Sequence, residues 1–255
     1  METITKADAI EAIHQVFSKY TPWKPKINWE KWHEPRYIPL DIESNLSHQV
    51  FANLVTMTRG KNSYLLSKDP YTCQLQTEIA LGWLANFELG VRNHETRSQP
   101  TEYWQKKKLD LAIIDLSKPF EEASPRVDQK VGDNCRNITL IGAIEFKRNL
   151  WRKDGFDKVK GDLIKLKIAA DAMGKEKFWG ILVATNLWYE KMQGDRYEPK
   201  NFPDHFIDLL RELRGAEEHG YDISFRTYHW NKAEELGKNA LAIMTEKSRK
   251  KDLEY

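Results

Sequence analysis

Cysteine is scarce in this chain: Cys73 and Cys135 are the only two in 255 residues. Two thiols cannot build a disulfide framework or a four-ligand zinc site, and they suit a reducing compartment. Long apolar runs are missing too, none nearing the roughly 18 residues that a membrane helix needs. The opening residues, Met-Glu-Thr-Ile-Thr-Lys-Ala-Asp, lack the basic and then apolar order of a signal peptide. Charge of one sign is not in excess, since 40 basic residues face 38 acidic ones, a formal +2. The glycine patterns that cradle phosphates, GxxxxGK[ST] and GxGxxG, do not occur, nor does a GxSxG elbow. The seven histidines include no HExxH, which excludes the usual zinc-hydrolase helix. His94-Glu95 and His33-Glu34 are adjacent pairs whose side chains diverge, so both are read as incidental.

What is present is aromatic: 9 Trp, 10 Tyr and 10 Phe argue against disorder. The chain is expected to be soluble, cytoplasmic and globular, with enough length for a sizeable core. Residues 5–19 carry apolar positions at helical spacing after a Thr5/Asp8 start, and a second helix is expected over 43–58. Between them Trp23, Trp29 and Trp32 stand among prolines, as in an extended segment clamped to a core. Leu75, Ile79, Trp83 and Phe87 at i+4 steps predict a third helix over 72–88. Strands are expected over 109–116 and 138–147, separated by a stretch at 117–137 without periodicity. A helix at 156–173, a strand at 178–185, a loop at 186–202, a helix at 203–216, a strand at 222–230 and a helix from Lys232 follow. Alternating strands and helices give an α/β class, divided here as a helical N-terminal extension (1–70) and a second domain (71–255).

Candidate chemistry gathers where apolar strands end in charge. On the strand closing with Glu145-Phe146-Lys147, Glu145 and Lys147 share a face and Phe146 takes the other. Acid-x-Lys recurs at Asp128-Gln129-Lys130 and Glu198-Pro199-Lys200, but only the Glu145 copy lies on a predicted strand. Asp110 opens the earlier β run; Asp115, five residues on, falls on the opposite face. If the two runs are neighbours, Asp110 and Glu145 meet at one end of a sheet. Converging carboxylates repel unless a cation lies between them or one is protonated. Magnesium commonly takes one or two protein carboxylates together with water and phosphate oxygens.

The ordered set resembles the PD-(D/E)xK nuclease superfamily, with its restriction-endonuclease-like core of a mixed central sheet flanked by helices. The matching pieces are Glu78 in Gln-Thr-Glu-Ile-Ala, Asp110 in Lys-Leu-Asp-Leu-Ala-Ile-Ile, Glu145 and Lys147 in Ile-Glu-Phe-Lys-Arg, and then a helix and a strand. Leu109 stands where that family often has proline. The resemblance implies that Asp110 and Glu145, with the backbone carbonyl of Phe146, hold Mg²⁺, for which Mn²⁺ substitutes. Lys147 then orients or deprotonates the attacking water, and Glu78 holds a metal-bound water or a second ion, with Glu43 and Glu88 as substitutes. A nucleic-acid backbone is expected to pass Lys106, Lys107, Lys108, Arg148, Arg152, Lys158 and Lys160.

The function expected from the resemblance is a metal-dependent endonuclease of restriction or genome-defence kind, on DNA rather than RNA, with homodimerisation a way to cut both strands. The alternatives are a catalytically silent nucleic-acid-binding module on the same fold and, behind it, a glycosidase-like use of paired carboxylates.

Overall fold

The computed structural model describes residues 4–19, 43–58, 75–92, 94, 99–115, 117, 121–122, 136–147, 153–185 and 204–228. Five strands form one mixed sheet, with β1 (Leu75–Ala80) at one edge, then β2 (Lys108–Ile114), β5 (Leu140–Lys147), β6 (Trp179–Thr185) and β7 (Asp222–Tyr228). A separate two-residue ribbon pairs β3 (Glu121–Glu122) with β4 (Arg136–Asn137). β1, β2 and β5 are antiparallel to one another in turn, whereas β5, β6 and β7 are parallel. Parallel neighbours need crossover connections, and α5 (Lys153–Met173) and α6 (Asp204–Glu218) supply them.

The sheet is covered on both faces. Ile181 and Val183 of β6 join Ile144 and Phe146 in a cluster with α1 (Lys6–Lys19) and α2 (Glu43–Thr58). Leu182 and Ala184 join Ala143 in a second cluster with α3 (Phe87–Arg92), α5 and α6. Burial on both faces explains why β6 reads as an unbroken apolar run and not as an alternation. The helices expected as an N-terminal extension therefore provide one layer of the sheet's own core. Thr5 and Asp8 start α1 as expected: the Thr5 hydroxyl and amide donate to the Asp8 carboxylate at 2.7 and 2.9 Å, and the Asp8 amide donates back to the hydroxyl at 3.2 Å. Such reciprocal bonding satisfies amides that helix geometry leaves without partners.

The helix expected over 72–88 is not there. Residues Leu75–Ala80 form strand β1, followed by a 3₁₀ turn at Leu81–Trp83 and then α3. Leu75, Ile79, Trp83 and Phe87 share no stripe: Leu75 enters the α1/α2 cluster, Ile79 and Phe87 enter the opposite one, and Trp83 is exposed. Between Leu75 and Ile79 the backbone of Glu78 takes a positive φ of 58°, which turns the strand over. Positions at i+4 are also both even steps along a strand, and here the ladder with β2 prevails. The expected elements at 186–202 and beyond Lys232, the tryptophan segment, and most of 117–137 lie outside the described residues. Among the described residues no helix is long and apolar enough to cross a membrane.

Gly90 shows how closely α3 approaches α5. A Cβ at this position would collide with the backbone carbonyl oxygen of Ile168, which cannot swing aside as a side chain would. Gly215, on α6, has open space around the same point. Gly90→Ala is therefore expected to destabilise the protein by about 1–3 kcal/mol, and Gly215→Ala to stabilise it by roughly 0.5–1 kcal/mol through helix propensity. Urea unfolding of the two variants checks both signs.

Candidate active site

Register brings the two predicted carboxylates together. Leu111 pairs with Ile144 across the antiparallel β2–β5 ladder, which sets Asp110 opposite Glu145. The ladder's backbone pairing stops there, and the Asp110 side chain continues it: the Phe146 amide donates to Asp110 Oδ2 at 2.8 Å. Asp110 thereby satisfies an amide that would otherwise lack an acceptor. Glu145 and Lys147 face α5, while Phe146 is buried in the α1/α2 cluster. The Phe146 carbonyl lies 3.4 Å from Lys147 Nζ, which donates to it.

Glu145 is fully buried. A carboxylate in that position needs compensating charge, and α5 provides it through residues the sequence pattern did not mark. Lys165 Nζ donates to Glu145 Oε2 at 2.7 Å and is 2.9 Å from Asp162 Oδ1, three residues back on the helix. The same ammonium donates to the Lys108 carbonyl at 2.8 Å, so it ties α5 to both β2 and β5. Asp162 Oδ2 lies 2.9 Å from Lys147 Nζ, a charge contact and not an aligned hydrogen bond. Glu145 Oε1 is buried without a hydrogen-bond partner. Three carboxylates and two ammoniums thus share the cluster, formally one negative charge in excess.

Titration follows from this crowding. Burial first, and then the Asp110 charge, push Glu145 well above the ordinary glutamate range. Burial also raises Asp110, although Lys165, the Phe146 amide and Lys147 pull it back. For Lys165 burial disfavours the charged form, yet Glu145, Asp162 and Asp110 outweigh it and raise its pKa.

Other expected residues are placed differently. Glu78 is on strand β1, not on a helix, and its exposed carboxylate lies 3.4 Å from Lys108 Nζ. Lys106 is exposed, and Lys107 Nζ sits 4.3 Å from the centre of the Tyr103 ring. Lys158 is exposed near the start of α5, and Lys160 is paired to Glu212 of α6 at 3.1 Å. Lys165, on the same helix, is buried and points inward. Arg148 and Arg152 lie outside the described residues, as does the side chain of Glu43; Glu88 is exposed on α3.

The donor set suits a hard cation. Asp110, Glu145 and the Phe146 carbonyl offer oxygens only, one buried carboxylate oxygen lacks a partner, and the cluster carries excess negative charge. Among the described residues no three His, Cys, Asp or Glu side chains group as a metal site. Two carboxylates and a carbonyl would leave the other positions of a hard cation to water, a common arrangement for Mg²⁺.

A second polar cluster occupies the far end of α5. Asp171 Oδ2 lies 2.8 Å from His94 Nε2 and accepts the Tyr221 hydroxyl at 2.8 Å, joining the segment after α3 to the entry of β7. Lys175 lies over the Tyr221 ring at 4.0 Å. The partner of His94 is 77 residues away in sequence, beyond the reach of local spacing. Burial lowers the His94 pKa below 6.5 despite Asp171, with Lys167 and Lys175 adding to the fall. The unfolded chain then takes up this proton more readily than the folded one, so stability falls as pH drops through 6.5 toward the folded value. Between pH 7.5 and 5.5 the thermal midpoint of wild type should fall further than that of His94→Gln; equal falls would remove His94 as a source.

Compared with protein-family models, with curated proteins and with solved structures, the chain matches none.

Proposed function

We propose that the protein is a metal-dependent nuclease of the PD-(D/E)xK kind, acting on DNA, with Asp110, Glu145 and Lys147 as its reacting constellation. The observation that carries this reading is the β2–β5 register, which sets Asp110 across from Glu145 with Lys147 two residues on, facing the same helix. Strand order and direction agree with it: three antiparallel strands, then a crossover helix into a parallel fourth, as in a restriction-endonuclease-like core. In this reading the helical acid of the family pattern passes from Glu78 to Glu43, the first residue of the helix preceding β1.

Asp110 and Glu145, with the Phe146 carbonyl, would hold Mg²⁺. The ion supplies a more acidic bound water and cancels charge on the phosphoryl oxygens. The chain's own contribution is placement. The Phe146 amide fixes the Asp110 carboxylate by one oxygen, and in the metal-free protein Lys165 holds Glu145 by Oε2. Lys147, partly buried beside the Phe146 carbonyl, orients the attacking water and offsets the negative charge of the phosphate. Lys106, Lys107 and Lys108 lead into β2 and follow the nucleic-acid backbone toward Asp110. With formal charges, the cluster plus one divalent ion is net positive by one, the complement of a single phosphodiester.

A specific observation favours a second reading, a silent nucleic-acid-binding module: both lysines of the cluster are already in ion pairs. One assay separates the two. Wild type is incubated with supercoiled plasmid, linear duplex, single-stranded DNA and RNA in Mg²⁺, Mn²⁺ or EDTA. Cleavage is expected with either metal and none with EDTA, and Lys147→Ala and Asp110→Asn should each slow it by about 10²-fold or more. Salt-dependent binding by wild type with no cleavage under any condition would favour the module.

A further inference from the structure

We propose that Lys165 is the resident counter-cation of the carboxylate cluster, holding Glu145 in the metal-free protein and releasing it when a divalent ion binds. The inference rests on reading Asp110 and Glu145 as metal carboxylates, and it assigns a role to a residue outside the Asp, Glu and Lys of that pattern.

The coordination of the ammonium carries the argument. Lysine has three N–H donors, and those of Lys165 have three oxygens around them: Glu145 Oε2 at 2.7 Å, Asp162 Oδ1 at 2.9 Å and the Lys108 carbonyl at 2.8 Å. Two carboxylates and a backbone carbonyl are equally the donors that a hard divalent ion selects. Lys165 is itself buried, so its charge is retained by these partners and not by water. A divalent ion drawn to Glu145 competes with Lys165 for the same carboxylate. Glu145 Oε1, buried without a partner, offers the entering ion an oxygen that Lys165 does not use. Asp162 gives the displaced ammonium somewhere to stay, because it already contacts both Lys165 and Lys147. The lysine therefore remains in the cluster after the exchange, and the loaded site keeps the positive charge that a phosphodiester requires.

The competition has a readout that does not depend on cleavage. Removing the ammonium leaves three carboxylates against Lys147 alone, a formal excess of two negative charges. Lys165→Met, in the full-length chain, should lose about 10 °C of thermal midpoint in EDTA and recover at least half of it in millimolar MnCl₂ or MgCl₂. Wild type should shift little. Titration calorimetry with MnCl₂ should show the variant binding about tenfold or more tightly than wild type. Glu145→Gln/Lys165→Met removes both partners together and should fold without any metal-dependent shift. If Lys165→Met binds Mn²⁺ no more tightly than wild type, or stays unfolded with and without metal while the double variant folds, the exchange is wrong. Wild-type cleavage without metal rescue of Lys165→Met would reject the exchange and keep the nuclease reading. Metal rescue without wild-type cleavage would keep the exchange and reject that reading.

Discussion

Glu145 is an ionisable group on an internal strand with no exposure to water, and the charged half of the structure is arranged around that fact. Taking a carboxylate out of water costs several kcal/mol even after relaxation. A neutral side chain of the same length would remove the cost, so the acid is retained against stability. Lys165 and Asp162 reach it from α5, Lys147 extends the cluster from β5, and Asp110 closes it from β2. The packing of α5 on the sheet is thereby set by charge as well as by apolar contact. The Lys165 ammonium bonds Glu145 of β5 and the Lys108 carbonyl of β2, so the helix cannot slide along the sheet without stranding an ion.

The same arrangement divides the molecule's polar groups by location. The middle of α5 meets the carboxylates; its C-terminal end, through Asp171, meets His94 and Tyr221. The second cluster has a plain structural use, since it ties the end of α3 to the entry of β7. It lacks the orphaned acceptor that marks the first. A satisfied network stabilises and specifies a fold. An unsatisfied buried carboxylate oxygen is a cost that chemistry would explain.

How much of this was legible in the sequence depended on the range of the interaction. The faces of Glu145, Phe146 and Lys147 follow from strand alternation alone, and the meeting of Asp110 with Glu145 needs only that two apolar runs be neighbours. Helix α1 announces itself through Thr5 and Asp8. The segment at 75–87 misled because apolar residues four apart fit a strand as well as a helix, and a positive φ at Glu78 then sends Leu75 and Ile79 into different cores. A glutamate in the left-handed region is a non-local outcome that no local propensity favours. Asp162 and Lys165 were missed for a related reason. A single apolar stripe through Val159, Leu163 and Leu166 leaves them on a wet face, but Ile168, Ala169 and Ala172 are buried too. That breadth of apolar positions was the available signal. A helix covered on more than one side has little wet surface left, so an acid and a lysine three apart within it are best assigned to each other and to something beneath them.

Two lysines in one small cluster raise the question of which could reach a substrate. Lys147 touches the Phe146 carbonyl and Asp162, at the end of β5 and with part of its side chain in solvent. Lys165 is buried deeper, with every donor engaged. A group that orients water or meets a phosphate must be reachable and must be able to change partners without unpairing a buried charge. Lys147 meets both conditions, because Asp162 keeps Lys165 when Lys147 turns away. Lys165 meets neither unless a cation replaces it at Glu145. In the proposed reading the two ammoniums would divide by depth: the outer one toward substrate, the inner one to the carboxylate that the fold has buried.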